Sequence, residues 1–309
     1  MLSGSSHPAL GAGVTEALGA PEGGLLVERY AGGELHVELL DAIRGDNIFI
    51  VQPTNEPVER HLFELLLCAD ACYRAGAASI TAVIPYFGYS RQDRRAQRGR
   101  VALGARLVAD VIAAAHIGRV IAIDLHAPTT ESFFAIPLEH ITAVPLLIDA
   151  VRPLINHEDA VVVAPDLGAV KLAARVADAL GCPMAAVHKL RVSGSSVAAA
   201  GLTGDVRGRT PIIVDDMAIT GGTIEAAGRV VLKAGAREGI VVAVTHSALE
   251  PNAAGILARL PLAHYVTTNT TATVGLPANT TIVDITSLLV DVILRLTNDA
   301  SLGAIRAET

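Results

Sequence analysis

Residues Pro211–Thr223 read PIIVDDMAITGGT. The apolar run Pro211–Val214 predicts a strand that ends at Asp215 and Asp216, and Ile219, Thr220, Gly221, Gly222 and Thr223 then lead into a predicted helix, Ile224–Ala234. Glycines let successive backbone N–H groups close around a phosphate, threonine hydroxyls add donors, and a helix N-terminus favours the negative charge. Two carboxylates just upstream suit the hydroxyls of a sugar carrying that phosphate. The lysine of a GxxxxGK[ST] loop is missing, so this is not a P-loop. The plainer alternative is a glycine-rich connection with Asp216 and Thr223 as turn or cap residues; the preceding strand and the acid pair argue against it.

Three further places carry chemistry. Tyr86–Arg100 reads YFGYSRQDRRAQRGR, with five arginines between Arg91 and Arg100 directly after a predicted strand, Ser79–Pro85. Aromatic rings stack on a purine and arginine forks grip phosphate oxygens two at a time, so this stretch suits a polyphosphate. Its alternatives are a solvated basic loop or an RNA-binding patch. His126, in Asp124-Leu125-His126, and Asp166, in Ala164-Pro165-Asp166-Leu167-Gly168, each follow a predicted strand, Arg119–Asp124 and Ala160–Ala164. An imidazole and a carboxylate in those positions suit a divalent cation that bridges phosphates. Lys189 and Arg191 stand two apart before the polar stretch Val192–Ser196, which suits closure over a substrate or, more plainly, a basic hairpin tip.

These residues need a scaffold that brings strand ends together. Strands are also predicted at Asn47–Gln52, Pro183–Val187 and Gly239–Thr245, and helices at Glu59–Ala75, Leu103–Ala115, Ala143–Ile155, Ala169–Ala179 and Asp284–Leu296. Alternation of helices with nearly continuous apolar strands predicts α/β architecture with parallel sheets covered on both faces. Ligands in such sheets bind beyond the carboxyl ends of the strands, where every residue singled out above falls. The 309 residues allow two domains, divided here as 1–145 and 146–309, with the last helix able to pack back on the first.

Composition excludes some classes. A net charge of −7 argues against a dedicated nucleic-acid protein while leaving room for a local anion site. No apolar run has the length of a bilayer span, and Met1–Val14 lacks the basic and apolar blocks of a secretory signal. The three cysteines, Cys68, Cys72 and Cys182, fit a reducing cytoplasm; Cys68 and Cys72 share one face of a predicted helix and read as buried small residues.

The Pro211–Thr223 segment resembles the phosphoribosyl-pyrophosphate motif of the type I phosphoribosyltransferase fold. With IRGDNIFIVQPT, AVIPYFGYSRQDRR, IDLHA and VAPDLG, it makes the chain similar to the ribose-phosphate diphosphokinase family from about Glu28 to Asp299. The resemblance implies two related phosphoribosyltransferase-like domains, each a mainly parallel sheet flanked by helices, with the active site between them and dimers assembled into hexamers. It implies a cytoplasmic enzyme that moves the diphosphate of ATP, with Mg2+ as cofactor, to O1 of ribose 5-phosphate. By matching position it implies Lys189 and Arg191 as catalytic, with Arg191 also at the sugar phosphate. Gly32, Gly33, Glu34, Arg91 and Gln92 fall at the ATP site. Asp215, Asp216 and Ile219–Thr223 fall at the ribose 5-phosphate site, and His126 and Asp166 at the metal.

The chain departs from the family pattern at Gly32 and Ile219, where many members carry Asp, and at Ala169 and Leu190, where Gly and Arg are common. The first two departures remove side-chain contacts and leave backbone ones. Two other functions share parts of this pattern. A phosphoribosyltransferase shares the VDDMAITGGT loop and needs no ATP site; a non-catalytic regulatory subunit would not need the cations Lys189 and Arg191.

Overall fold

The computed structural model describes residues 1–95, 100–191, 198–272 and 274–307, with the backbone alone at 189–191 and 198–200. The chain divides into two compact units: Met1–Thr142 with Thr270–Ala272 and Ile285–Thr309, and Ala143–Asn269 with Thr273–Asp284.

The first unit runs β1 (Leu2–Ser3), α1 (Pro8–Leu18), β2 (Leu25–Arg29), β3 (Leu35–Leu39), β4 (Asn47–Val51), α2 (Val58–Arg74), β5 (Ser79–Ile84), α3 (Gly104–Ala114), β6 (Arg119–Ile123) and β7 (Leu138–Ile141). Its main sheet has the order β1-β4-β5-β6-β7 and every pairing is parallel. Ile48, Ile50, Ala82, Ile84, Val120 and Ala122 form its core with Leu65, Cys68 and Cys72 of α2 and Val108 and Ile112 of α3. Both helical cysteines are buried free thiols, pushed above the ordinary thiol range by burial, Cys72 to about 11. β2 and β3 form a separate antiparallel hairpin.

The second unit runs α4 (Val144–Val151), β8 (Ala160–Ala164), α5 (Val170–Leu180), β9 (Met184–Arg191), β10 (Ala198–Thr203), β11 (Thr210–Ala218), α6 (Gly222–Lys233), β12 (Ile240–Ser247), α7 (Ala253–Leu257), β13 (Leu262–Thr268) and β14 (Thr280–Val283). The strand order is β10-β9-β8-β11-β12-β13-β14, parallel except for the β9–β10 hairpin. Successive strand residues point to opposite faces, and both faces are covered, which is why the strands read as unbroken apolar runs. Val162, Ala164, Ile212 and Val214 pack with α4 and α5, while Val161, Val163 and Ile213 pack with Ile224, Ala227 and Val231 of α6. The chain then returns to the first unit as α8 (Thr286–Thr297), which packs on α1.

Three element ends lie about four residues from the sequence reading. β11 continues through Asp215 and Asp216 to Ala218, because its ladder with β12 runs on to Met217–His246 and Ala218–Ser247. β9 runs to Arg191 because β10 pairs with it, so the backbones of Lys189 and Arg191 lie on a strand. The helix predicted over 143–155 stops at Val151 and becomes a 3-10 turn, Arg152–Leu154, because Pro153 has no N–H to continue the ladder.

Candidate active site

In the second unit β8 lies between β9 and β11, all three parallel, so their carboxyl ends share one edge of the sheet. Asp166 follows β8, Asp215 and Asp216 lie in the last turns of the β11 ladder, and the Lys189 and Arg191 backbones lie at the far end of β9. The side chains of Lys189 and Arg191, and the Val192–Ser196 stretch, lie outside the described residues.

Ile219 to Thr223 form the turn from β11 into α6. Gly221 takes the N-cap position with φ 74°, the left-handed region in which only glycine is unstrained, and no side chain caps the helix. The cap alternative for Asp216 and Thr223 therefore does not hold. Thr220 Oγ1 accepts the Gly222 N–H at 3.3 Å, which tightens the turn, and Thr220 and Thr223 are exposed. The first N–H groups of a helix have no intrahelical partner, so this turn offers donors and a favourable dipole to an anion.

The acids beside it repel one another. Burial, Asp216 and Asp166 push Asp215 up to about 9. Asp166 is exposed; its Oδ1 accepts the N–H groups of Gly168 at 2.8 Å and Ala169 at 3.3 Å. Those bonds hold the carboxylate while Oδ2 makes no described hydrogen bond. Hard oxygen donors whose mutual repulsion a cation would relieve fit magnesium. Among the described residues, no group of three or more His, Cys, Asp or Glu is arranged as a metal cage.

In the first unit β5 and β6 are parallel neighbours, so the loops carrying Arg91–Gln92 and His126 emerge from adjoining strand ends. The Arg91 loop is anchored from three sides. Tyr89 Oη donates to Glu59 Oε1 of α2 at 2.9 Å, Gly88 N–H donates to Thr54 Oγ1 at 2.7 Å, and Gln92 O accepts the Ala105 N–H of α3 at 3.2 Å. Arg91 and Gln92 are themselves exposed. Glu59 was not predicted as part of the site; it is 30 residues from Tyr89, and no spacing rule links them. His126 is exposed two residues after Asp124, whose φ of 38° is left-handed. His126 belongs to the first unit and Asp166 to the second. Gly32, Gly33 and Glu34 form the exposed tip of the β2–β3 hairpin, closed by Tyr30 N–H to Glu34 O at 3.0 Å and Gly33 N–H to Tyr30 O at 2.8 Å. Among the described residues no hydrogen bond or ion pair links this tip to Arg91 or Gln92.

Comparison with known proteins adds to this geometry. Residues 1–115 match the N-terminal domain of ribose phosphate pyrophosphokinase and residues 133–256 a phosphoribosyl transferase domain. The ribose-phosphate pyrophosphokinase of Staphylococcus aureus strain Mu50 is 38% identical over 296 residues, 94% of this chain and 91% of that one. The chain belongs to the ribose-phosphate pyrophosphokinase family. Another member, from Burkholderia pseudomallei, is 40% identical over 270 residues, 87% of this chain and 84% of its own. The crystal structure of phosphoribosylpyrophosphate synthetase from Mycobacterium smegmatis superposes with a TM-score of 0.90 at 34% identity, covering 97% of this chain and 98% of that one. In this ribose-phosphate pyrophosphokinase family member the two units are thus phosphoribosyltransferase-like, each a mainly parallel sheet flanked by helices. No helix among the described residues is long and apolar enough to cross a membrane.

Proposed function

We propose that this family member transfers the diphosphate of Mg-ATP to O1 of ribose 5-phosphate, giving 5-phosphoribosyl 1-pyrophosphate and AMP. The observation that carries the reading is the second unit's strand edge, where the Asp166, Asp215 and Asp216 acids adjoin the glycine-capped N-terminus of α6 with its exposed Thr220 and Thr223. The relationship to ribose-phosphate pyrophosphokinases over 94% of the chain favours synthesis over a phosphoribosyltransferase, whose reaction consumes the same product.

The O1 hydroxyl attacks the β-phosphorus in line and AMP leaves, with no covalent enzyme intermediate. The protein positions the reactants and stabilises charge as it spreads over phosphoryl oxygens. The Ile219–Thr223 turn holds the 5-phosphate through N–H groups and the Thr220 and Thr223 hydroxyls. Asp215 and Asp216 accept the ribose hydroxyls. Arg91, Gln92, Glu34 and the Gly32–Gly33 backbone hold the nucleotide. Lys189 and Arg191 neutralise the transferring group, and Arg191 also meets the sugar phosphate. His126 and Asp166 would hold Mg2+, which when bound supplies charge neutralisation on phosphate oxygens. The functional domains are assigned as 1–145 and 146–309, and the working form as a cytoplasmic homo-oligomer built from dimers to a hexamer; for these the support is the family resemblance.

The test is incubation of the pure chain with Mg-ATP and ribose 5-phosphate, followed by phosphorus NMR. AMP and a new pyrophosphoryl signal in equal amounts are expected. Release of ADP, or no turnover under any magnesium concentration, overturns the reading.

A further inference from the structure

The His126 loop is stapled from behind by a buried histidine. Leu125 is 7% exposed, so its N–H is out of reach of bulk water and needs an acceptor within the protein. That acceptor is Nε2 of His140 at 2.9 Å. A backbone N–H only donates, so Nε2 must present its lone pair and the ring proton must sit on Nδ1. Nδ1 lies 2.6 Å from Glu131 Oε1, which takes that proton as a hydrogen bond. His140 is 4% exposed and lies on β7, where it pairs with Ala122 of β6 and its carbonyl accepts the Ala307 N–H at 2.9 Å.

The surroundings show what the staple holds. Asp124 turns the chain out of β6 with a left-handed φ of 38°, costly for a residue with a Cβ. Its N–H is taken by Ile141 O at 2.9 Å, and the next N–H, of Leu125, by His140. Two successive residues of β7 thus grip two successive amides of the loop. Glu131 sits in the 3-10 turn Pro128–Phe133, on the far side of His126. The imidazole therefore ties the start of the loop to its end, with His126 in between.

We propose that His140 is a positioning residue that fixes the direction of His126 by accepting the Leu125 N–H, and that Glu131 holds it in the tautomer able to do so. This rests on the reading of His126 as a residue of the Mg-ATP site. Outer residues that orient a ligand-bearing group commonly matter to activity by about 10–100-fold.

The experiment compares His140→Leu, His140→Gln, Glu131→Ala and His126→Ala by steady-state kinetics, with melting temperatures alongside. His140→Leu is expected to lower kcat/KM for Mg-ATP about tenfold or more, while the KM for ribose 5-phosphate stays within about twofold. Glu131→Ala, at a partly exposed position, is expected to shift the same parameter in the same direction. His140→Gln restores a carbonyl acceptor at a similar reach and recovers most of the loss. Nitrogen-15 spectra of the wild-type protein should show His140 protonated on Nδ1 alone. The proposal falls if His140→Leu and Glu131→Ala match wild type while His126→Ala is impaired. It falls as well if a folded His140→Gln is as poor as His140→Leu, or if the ring proton sits on Nε2. An unimpaired His126→Ala would instead sink the reading of His126 itself, and the staple would then have nothing catalytic to position.

Discussion

The Asp215 carboxylate accepts the backbone N–H of Asp216 at 3.0 Å, so two consecutive acids of one strand are tied together beside a third, Asp166. Burial and the two neighbouring carboxylates push Asp215 up to about 9, and in the unliganded protein it holds its proton at neutral pH. The unfolded chain releases that proton in the ordinary carboxyl range. The native state binds the extra proton between those limits, so this group's contribution is complete at low pH and is lost as pH rises toward about 9. Denaturation midpoints of unliganded wild type and Asp215→Asn, measured at about pH 6 and about pH 8, should show wild type losing more stability on the rise. Equal losses in the two proteins would refute the assignment.

Gly221 and Gly222 separate conformation from binding. At Gly221 an added Cβ would stand 3.0 Å from Leu257 Cγ and 3.3 Å from Ala253 O, on a residue with φ 74°. Gly221→Ala should therefore cost about 1–2 kcal/mol of stability from the left-handed backbone alone. At Gly222, the first helical residue, an added Cβ meets only Thr220 Oγ1 at 3.4 Å. Gly222→Ala should melt near the wild-type temperature yet raise the KM for ribose 5-phosphate, because the methyl group would stand in the proposed phosphate site. An unchanged KM would place the phosphate elsewhere.

Lys189 lies on β9 with its backbone paired to Ala200, so truncating its side chain leaves the ladder in place. Lys189→Ala should lower kcat about 10²-fold or more, the scale seen when one preorganised donor to a charged transition state is removed. AMP release under saturating substrates measures it. Turnover near wild type would remove Lys189 from the chemistry.

What the sequence made legible was local. The Ile219–Thr223 turn could be read because its glycines, hydroxyls and following helix are contiguous, and β8 because Ala160–Ala164 is an unbroken apolar run. The β2–β3 hairpin was missed because it is half exposed and belongs to neither main sheet, so its pattern carries little core signal. The end of β11 was misplaced because Asp215 ends the apolar run while the backbone ladder continues. Residues that hold the site from a distance left no pattern: His140 of β7 meets Leu125 just past the neighbouring strand, and Glu59 of α2 meets Tyr89 in the loop after β5.

Gly104 offers a test of the Arg91 loop from a residue not itself assigned to the site. It opens α3, and an added Cβ there would collide with Gln92 Oε1 and lie 2.9 Å from the Tyr89 ring. The exposed Gln92 side chain can swing away, but the Tyr89 ring is held by its bond to Glu59, so relief must come partly from the loop itself. Gly104→Ala should raise the KM for Mg-ATP several-fold and leave the KM for ribose 5-phosphate unchanged, because the affected loop belongs to the first unit and the turn proposed to hold the sugar phosphate to the second. The added methyl group favours helix in itself, so the melting temperature should change little. Parallel changes in both KM values would mean that the loop does not serve the nucleotide alone.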